Sequence, residues 1–477
     1  MQIPILKGIY ADENADFRNS YPLNLEPVAL DNGISAGYLR PAAGFAAFEE
    51  KENPATGLQY KMGSLDRGAI VFDNKQIRIF GNDLCRVLED GYIEQIAAFN
   101  FGVVGATAGI DQVSMDYSFD YLAIANGGKL FIFDKDITLT ENTDPDLGVV
   151  LDVIHIDGYF MTTDGEFLVI TELGNPLAVA SDKYGSSEVD PDPIVGLLKV
   201  HNEVYALNRY TIEAFYNKGT GVFPFARIEG TRMNRGLVGV HAKCEFQDAI
   251  AFMGGGRHEP TSIWIGLNAQ TQKIATREID QILQSYTEEE LKLTVFEKRI
   301  DKNHEQLWIR LIDQILVYDA KATEAAQIPV WFIRDIGPRN LIWFFDKWFA
   351  GNDEGQVAYL DDSLSTLWGE KVDWRFQTNI IFNESNGAIF NKLELIGLPG
   401  RVALGENPTV WTSYSLDGQV WSNEKMITLG TQGERMKRAA WFSQGFMENY
   451  RIQRFRGNSD SHFSIARLEA EIEGLAY

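Results

Sequence analysis

Along most of the chain, apolar and polar residues alternate in short runs broken by two to four polar or glycine residues, the pattern of antiparallel hairpins. It recurs at 68–80 (GAIVFDNKQIRIF), 121–133 (YLAIANGGKLFIF), 158–170 (GYFMTTDGEFLVI), 203–216 (EVYALNRYTIEAFY), 306–319 (QLWIRLIDQILVYD) and 347–360 (KWFAGNDEGQVAYL). A looser version at 248–267 has a longer, glycine-rich connection. Asn126-Gly127 and Asp164-Gly165 supply the left-handed backbone that tight hairpin turns require. Successive hairpins begin roughly 40 to 55 residues apart, the repeat length of four-stranded propeller blades. A lone hairpin cannot bury both of its faces, and stacking hairpins around an axis protects their edges. The fold expected is therefore mainly β: a β-propeller of about six blades over residues 56–365, with a string of β-sandwich domains as the structural rival.

Three stretches depart from this rhythm. Residues 1–55 carry prolines and asparagines with little alternation (DFRNSYPLNLEPVALDNG), as an extended arm docking on the propeller or on a neighbour would. Within it, Tyr38, Leu39 and Phe45 are the candidates for contacts with a neighbouring subunit. Residues 366–477 show longer apolar segments (WRFQTNIIF, FNKLELIGL, PTVWTSYSLDGQVWS, FSIARLEAEIEGL), which fit an antiparallel β-sandwich-like or jelly-roll module with a turn at Asp417-Gly418. Residues 276–295 read as a short helical insertion between two blades. TREIDQILQSY places Ile279, Ile282 and Leu283 on one face. In SYTEEELKLTVF, Thr287 and Glu290 form a capping box, and Glu288 and Glu289 complement the positive end of the helix dipole.

Charge narrows the function. With 43 Lys plus Arg against 67 Asp plus Glu, the net charge of -24 repels nucleic-acid phosphates on average. An acidic wall instead suits a conduit along which DNA slides without sticking. Cys85 and Cys244 are too few for a disulfide framework or a zinc cage and read as structural thiols. The first residues hold an apolar run too short for a signal-peptide core, and no stretch approaches the roughly 18 apolar residues of a membrane span. Folding in the cytoplasm of the producing cell is expected.

Candidate chemistry is sparse. There is no P-loop, no HExxH and no GxSxG motif, and GGGRH (254–258) lacks the strand-to-helix context of a phosphate loop. The six histidines show no metal-type pairing. The acidic runs ENTDPDLG (141–148) and DPDP (190–193) lack the spacing of a calcium loop and read as solvated blade connections. SLDGQVWS (415–422) resembles an Asp-box but has Asp and Gly adjacent, so an ordinary turn over Trp421 is the better account. No catalytic, cofactor or metal site is expected. A basic bias near the end brings in Arg435, Lys437, Arg438, Arg451, Arg454 and Arg456, either as a strand face paired with nearby acids or as a patch facing protein or DNA.

Several stretches together resemble the packaged-DNA stabilisation proteins of short-tailed bacteriophages, the tail hub or nozzle family. They are DFRNSYPLN (16–24), GYLRPAAGF (37–45), NEVYALNRYTIEAFYNKGTG (202–221), MNRGLVGVHAKCEFQDAIAFMGG (233–255) and QSYTEEELKLTVFEKRIDKNHEQLWIRLIDQILVYDA (284–320). Order and spacing agree from residue 1 to about residue 320, and the C-terminal third matches mainly as β-rich. The resemblance implies a non-enzymatic virion protein in several copies, expected to be six. These copies extend the channel beneath the portal and tail adaptor ring, retain the packaged genome, and carry a tail needle or plug and tailspikes or fibres. The alternative is a carbohydrate-binding or glycan-cleaving propeller used for host attachment, which would need convergent arginines and paired carboxylates on its inner strands.

Overall fold

The computed structural model describes residues 2–3, 21–29, 34–48, 58–99, 112–187, 190–301, 304–383, 386–402, 405–458 and 463–475. Among these, seven consecutive antiparallel sheets form blades 1 to 7. Their first strands are Asp66–Phe72, Ser114–Tyr117, Asp152–Ile156, Ile194–Val200, Lys243–Phe246, Val295–Ile300 and Arg339–Phe344. Each first strand neighbours the next, and Arg339–Phe344 returns to Asp66–Phe72, which closes the ring around an axis. The chain is thus a propeller of seven blades where about six were expected. The additional one is blade 5, whose hairpin Ala249–Gly254 and Ser262–Leu267 pairs normally across its long glycine-rich connection.

The hairpins visible in the sequence are the middle strands of the blades in every case but the first. Middle strands are covered on both faces by neighbouring blades, so they read as nearly continuous apolar runs. All six residues of Ala249–Gly254 are buried, and so are five of the six in Glu203–Asn208. In blade 1 the turn between Asp66–Phe72 and Lys75–Phe80 puts Asp73 and Asn74 at φ 46° and 53°, the left-handed pair of a tight hairpin turn.

The described part of residues 1–55 does not stand off the fold. Gly44–Ala47 pairs with Val357–Asp361 and becomes the fourth strand of blade 7. The ring is therefore closed by a strand that precedes blade 1 in sequence. Leu25–Val28 and Tyr38–Pro41 instead extend a C-terminal sheet through Leu39↔Ile465. That sheet also holds Ala388–Gly397, Ala439–Phe442 and Ile465–Gly474, and it faces a second one built on Trp374–Gln377, Thr409–Ser415, Lys425–Thr428 and Tyr450–Gly457. Leu25, Leu39, Trp374, Phe376, Phe390, Trp441 and Phe455 fill the space between the two sheets. The C-terminal body is thus a β-sandwich to which the N-terminal residues contribute an edge.

Helices α1 (Arg277–Gln284) and α2 (Glu288–Leu291) lie between blades 5 and 6. Thr276 caps the first, and Thr287 and Glu290 make the full capping box of the second. Ile279 and Leu283 are buried, while Ile282 is only partly so. A third helix, α3 (Ala320–Ala326), crosses between two strands of blade 6 and starts where Asp319 accepts the Ala322 amide.

Candidate functional site

Propeller and sandwich meet along the N-terminal segment. The Leu23 amide donates to the Arg375 carbonyl of the sandwich at 2.9 Å, and the Asn24 amide donates to Ile333 of blade 6 at 2.8 Å. The Asn24 side-chain amide bridges Asp335 and the Asp373 carbonyl, at 2.8 and 2.7 Å. Residues 22–24 are therefore the seam between the two bodies.

Two residues further on, Glu26 is buried in a polar network against blade 6. Its carboxylate takes a forked pair from Arg40, with both nitrogens at 2.7 Å, and accepts from the Gln306 amide. His304 Nδ1 lies 2.5 Å from Asp319 and 3.6 Å from Glu26, and Arg299 stands 3.9 Å from Glu26. Burial alone would raise the Glu26 pKa, but His304, Arg40 and Arg299 outweigh it and hold the group at about 2. Burial opposes protonation of His304, yet the bond to Asp319 and the charge of Glu26 raise its pKa above the ordinary value. Ligand atoms of Glu26, His304 and Asp319 lie within 4.8 Å of one another, close enough for a metal ion. Two guanidinium groups already neutralise this set, so its chemistry favours a proton-linked clamp over a divalent cation.

The candidate neighbour contacts fall on the same seam. Leu39 and Phe45 are both 0% exposed within the chain itself. Phe45 stacks on Trp368 at 5.5 Å and meets Trp308 edge-on at 6.4 Å, so neither residue offers a face to another subunit. Tyr38 is half-buried opposite Val28.

The basic residues do not form one patch. Strand alternation turns Arg451 inward, where it is 0% exposed between the rings of Phe390 and Tyr414 and donates to Gln453 and the Gln444 carbonyl. Arg454 lies over Trp421 at 3.9 Å. Arg456 is forked onto Glu424 and Arg438 onto Glu394, while Lys437 donates to Thr428. Arg435 is exposed and makes no ion pair among the described residues. Of the six, only Arg438 and Arg456 pair with nearby acids among the described residues. The Asp417 carboxylate caps its own turn by accepting the Gln419 and Val420 amides.

The sequence reading missed a repeated tie on the propeller's inner strands. Asp116 accepts the His155 amide of the next blade at 2.7 Å and pairs with Lys199 one blade further. Asp152 repeats this on the Leu197 amide and Lys243, both at 2.7 Å. Glu297 accepts the Leu341 amide at 3.0 Å, and the fully buried Asp66 joins Arg78 and Asn340 across the closing seam of blades 1 and 7. A single acid in an apolar first strand (SMDY, LDVIHI, VFEKRI) was the available signal. The acidic runs are likewise committed: Asp144 accepts the Asp146 and Val179 amides, and Asp192 accepts the Tyr210 amide. These inner-strand carboxylates join blades.

A closed propeller whose ring is locked by an N-terminal strand and sewn to a C-terminal β-sandwich defines a class of two-body, mainly β propeller–sandwich protein. The chain belongs to the family described as Bacteriophage P22 Gp10, beta-propeller, whose sequence model matches residues 1–365. A second model, Bacteriophage P22 Gp10, beta-sandwich, matches residues 373–473. The chain is 26% identical over 482 residues to the tail hub protein gp10 of Salmonella phage P22, a match covering 96% of this chain and 95% of that protein. Among solved structures, it is similar to PorZ, a surface component of the type-IX secretion system of Porphyromonas gingivalis, at 11% identity and a TM-score of 0.38. That match covers 71% of this chain and 45% of PorZ, so the chain spans under half of PorZ. It is also similar to BamB from Moraxella catarrhalis, at 10% identity and a TM-score of 0.32, over 62% of this chain and 97% of BamB.

Proposed function

We propose that this chain is a structural subunit of a phage tail, the hub or nozzle below the portal–adaptor channel. The observation that carries this reading is the continuity of the family match through both bodies, together with full-length similarity to a tail hub protein. Several copies, six by analogy with the family, join the adaptor ring and lengthen the channel. They retain packaged DNA, form the conduit for its ejection, and support a needle or plug and the spikes or fibres. The role is mechanical, not enzymatic: the protein folds in the host cytoplasm and ends in the virion. The net charge of -24 supports a conduit that DNA traverses without adhering.

Mixing purified protein with DNA-filled heads that carry an adaptor ring but no hub tests the assignment. Electron microscopy should show an added ring of density below the adaptor. Absence of binding to such heads, with binding to host-surface glycan instead, would contradict it.

A further inference from the structure

We propose that one mouth of the propeller axis is a receptor for a single carboxylate side chain of a partner polypeptide, with Arg310 as its anchor. Residues just before or at the start of the first strands of four blades converge there: Gln112 of blade 2, Val240 and His241 of blade 5, Val295 of blade 6 and Arg339 of blade 7. They enclose a cavity of about 230 Å³. That is smaller than the ~300 Å³ from which drug-sized pockets begin, and it suits one side chain, not a nucleotide.

Arg310 is 6% exposed and lines this cavity at the end of Glu305–Arg310. One terminal nitrogen donates to Gln112 Oε1 at 3.1 Å, but Nε has no hydrogen-bond partner. Among the described residues no carboxylate comes within ion-pair distance of it. Glu297 acts on it only through space and spends Oε1 on the Leu341 amide. Arg339, the second guanidinium of the cavity, is held by Asp353. Burial and then the charge of Arg339 lower the Arg310 pKa to about 10, which leaves it cationic at neutral pH. A guanidinium that lines a cavity and has only one terminal nitrogen hydrogen-bonded can hold an anion there, because buried donors are otherwise satisfied.

The surroundings select the ligand. Leu293 and Ile312, 37% and 43% exposed, form an apolar rim, with Leu311 and Ile336 deeper in. An acidic side chain flanked by apolar residues matches both features. A phosphodiester backbone matches neither the rim nor the overall charge of this chain. The inference is independent of the hub assignment.

The test titrates the full-length protein with acetyl-Leu-Asp-Leu-amide, its Asn analogue and inorganic phosphate, following the Arg310 Nε–H resonance. The Asp peptide should shift that resonance saturably and bind at least tenfold more tightly than the Asn analogue. Ile312→Asp, a rim substitution that leaves the fold intact, should weaken the Asp peptide by tenfold or more, and Arg310→Met should remove its binding. Failure of the Asp peptide to bind, equal affinity for the Asn analogue, or unchanged binding to Ile312→Asp would overturn the proposal. Tighter binding of phosphate than of the Asp peptide would overturn the choice of a polypeptide partner.

Discussion

His304 is held between two carboxylates at the place where the N-terminal segment docks on blade 6, and this makes the docking depend on pH. Because its folded pKa is raised above 6.5, the stability it contributes is complete below that value and is lost as pH rises through the folded one. Glu26 acts in the opposite sense: held at about 2, it contributes fully above 4.5 and loses that contribution as pH falls toward its folded value. Protection of the Leu25, Glu26 and Val28 amides against exchange, relative to their intrinsic rates at each pH, should therefore be greatest between about pH 4.5 and 6.5. His304→Gln should abolish the alkaline loss while leaving the acid loss in place. An unchanged alkaline limb in the variant would show that another group governs it. At the closing seam of the ring, Arg78→Met strands the buried Asp66 carboxylate and should cost about 3–5 kcal/mol in equilibrium unfolding. A cost under about 1 kcal/mol would mean that Asp66 and Arg78, which reach blade 7 through Asn340, do not hold the two blades together.

Elements differed in how plainly the sequence announced them, and the difference is physical. The middle strands of the blades were legible because burial on both faces makes them apolar runs between turn residues. The insertion α1–α2 was legible because its caps are local, and Thr287→Ala should cost about 1 kcal/mol by thermal unfolding. Leu25–Val28 and Gly44–Ala47 were not legible, since they are short, the first contains Pro27, and the partner of the second, Val357–Asp361, lies some three hundred residues away. The helix α3 was missed because AKATEAA has no amphipathic stripe, only a capping Asp and alanines. Arg451 misled for a related reason: composition suggested a basic face, while the alternation of its strand carries it into the sandwich. Of the functional geometry, little was local. The seam joins the N-terminal segment, blade 6 and the sandwich, the axial mouth joins residues from several blades, and no window of sequence contains either.

For the whole molecule, the N-terminal segment is the part on which both bodies depend. Removing residues 1–47 takes away the fourth strand of blade 7, the edge of the sandwich and Glu26 of the seam. The expected outcome is loss of cooperative unfolding and rapid proteolysis between blades 1 and 7. A truncated chain that still unfolds cooperatively and resists proteolysis would show that the ring closes without that strand. Phe45→Ala is the gentler probe and should cost about 3–5 kcal/mol through the cavity left beside Trp308 and Trp368.

The central claim, that a ring of these two-body subunits closes the channel on a packaged genome, is tested most directly by measuring the DNA content of phage heads assembled without this protein, with and without its addition afterwards. The account predicts heads that package and then lose their DNA, with retention restored by added protein. Full and stable heads that fail only at attachment to the host would contradict it.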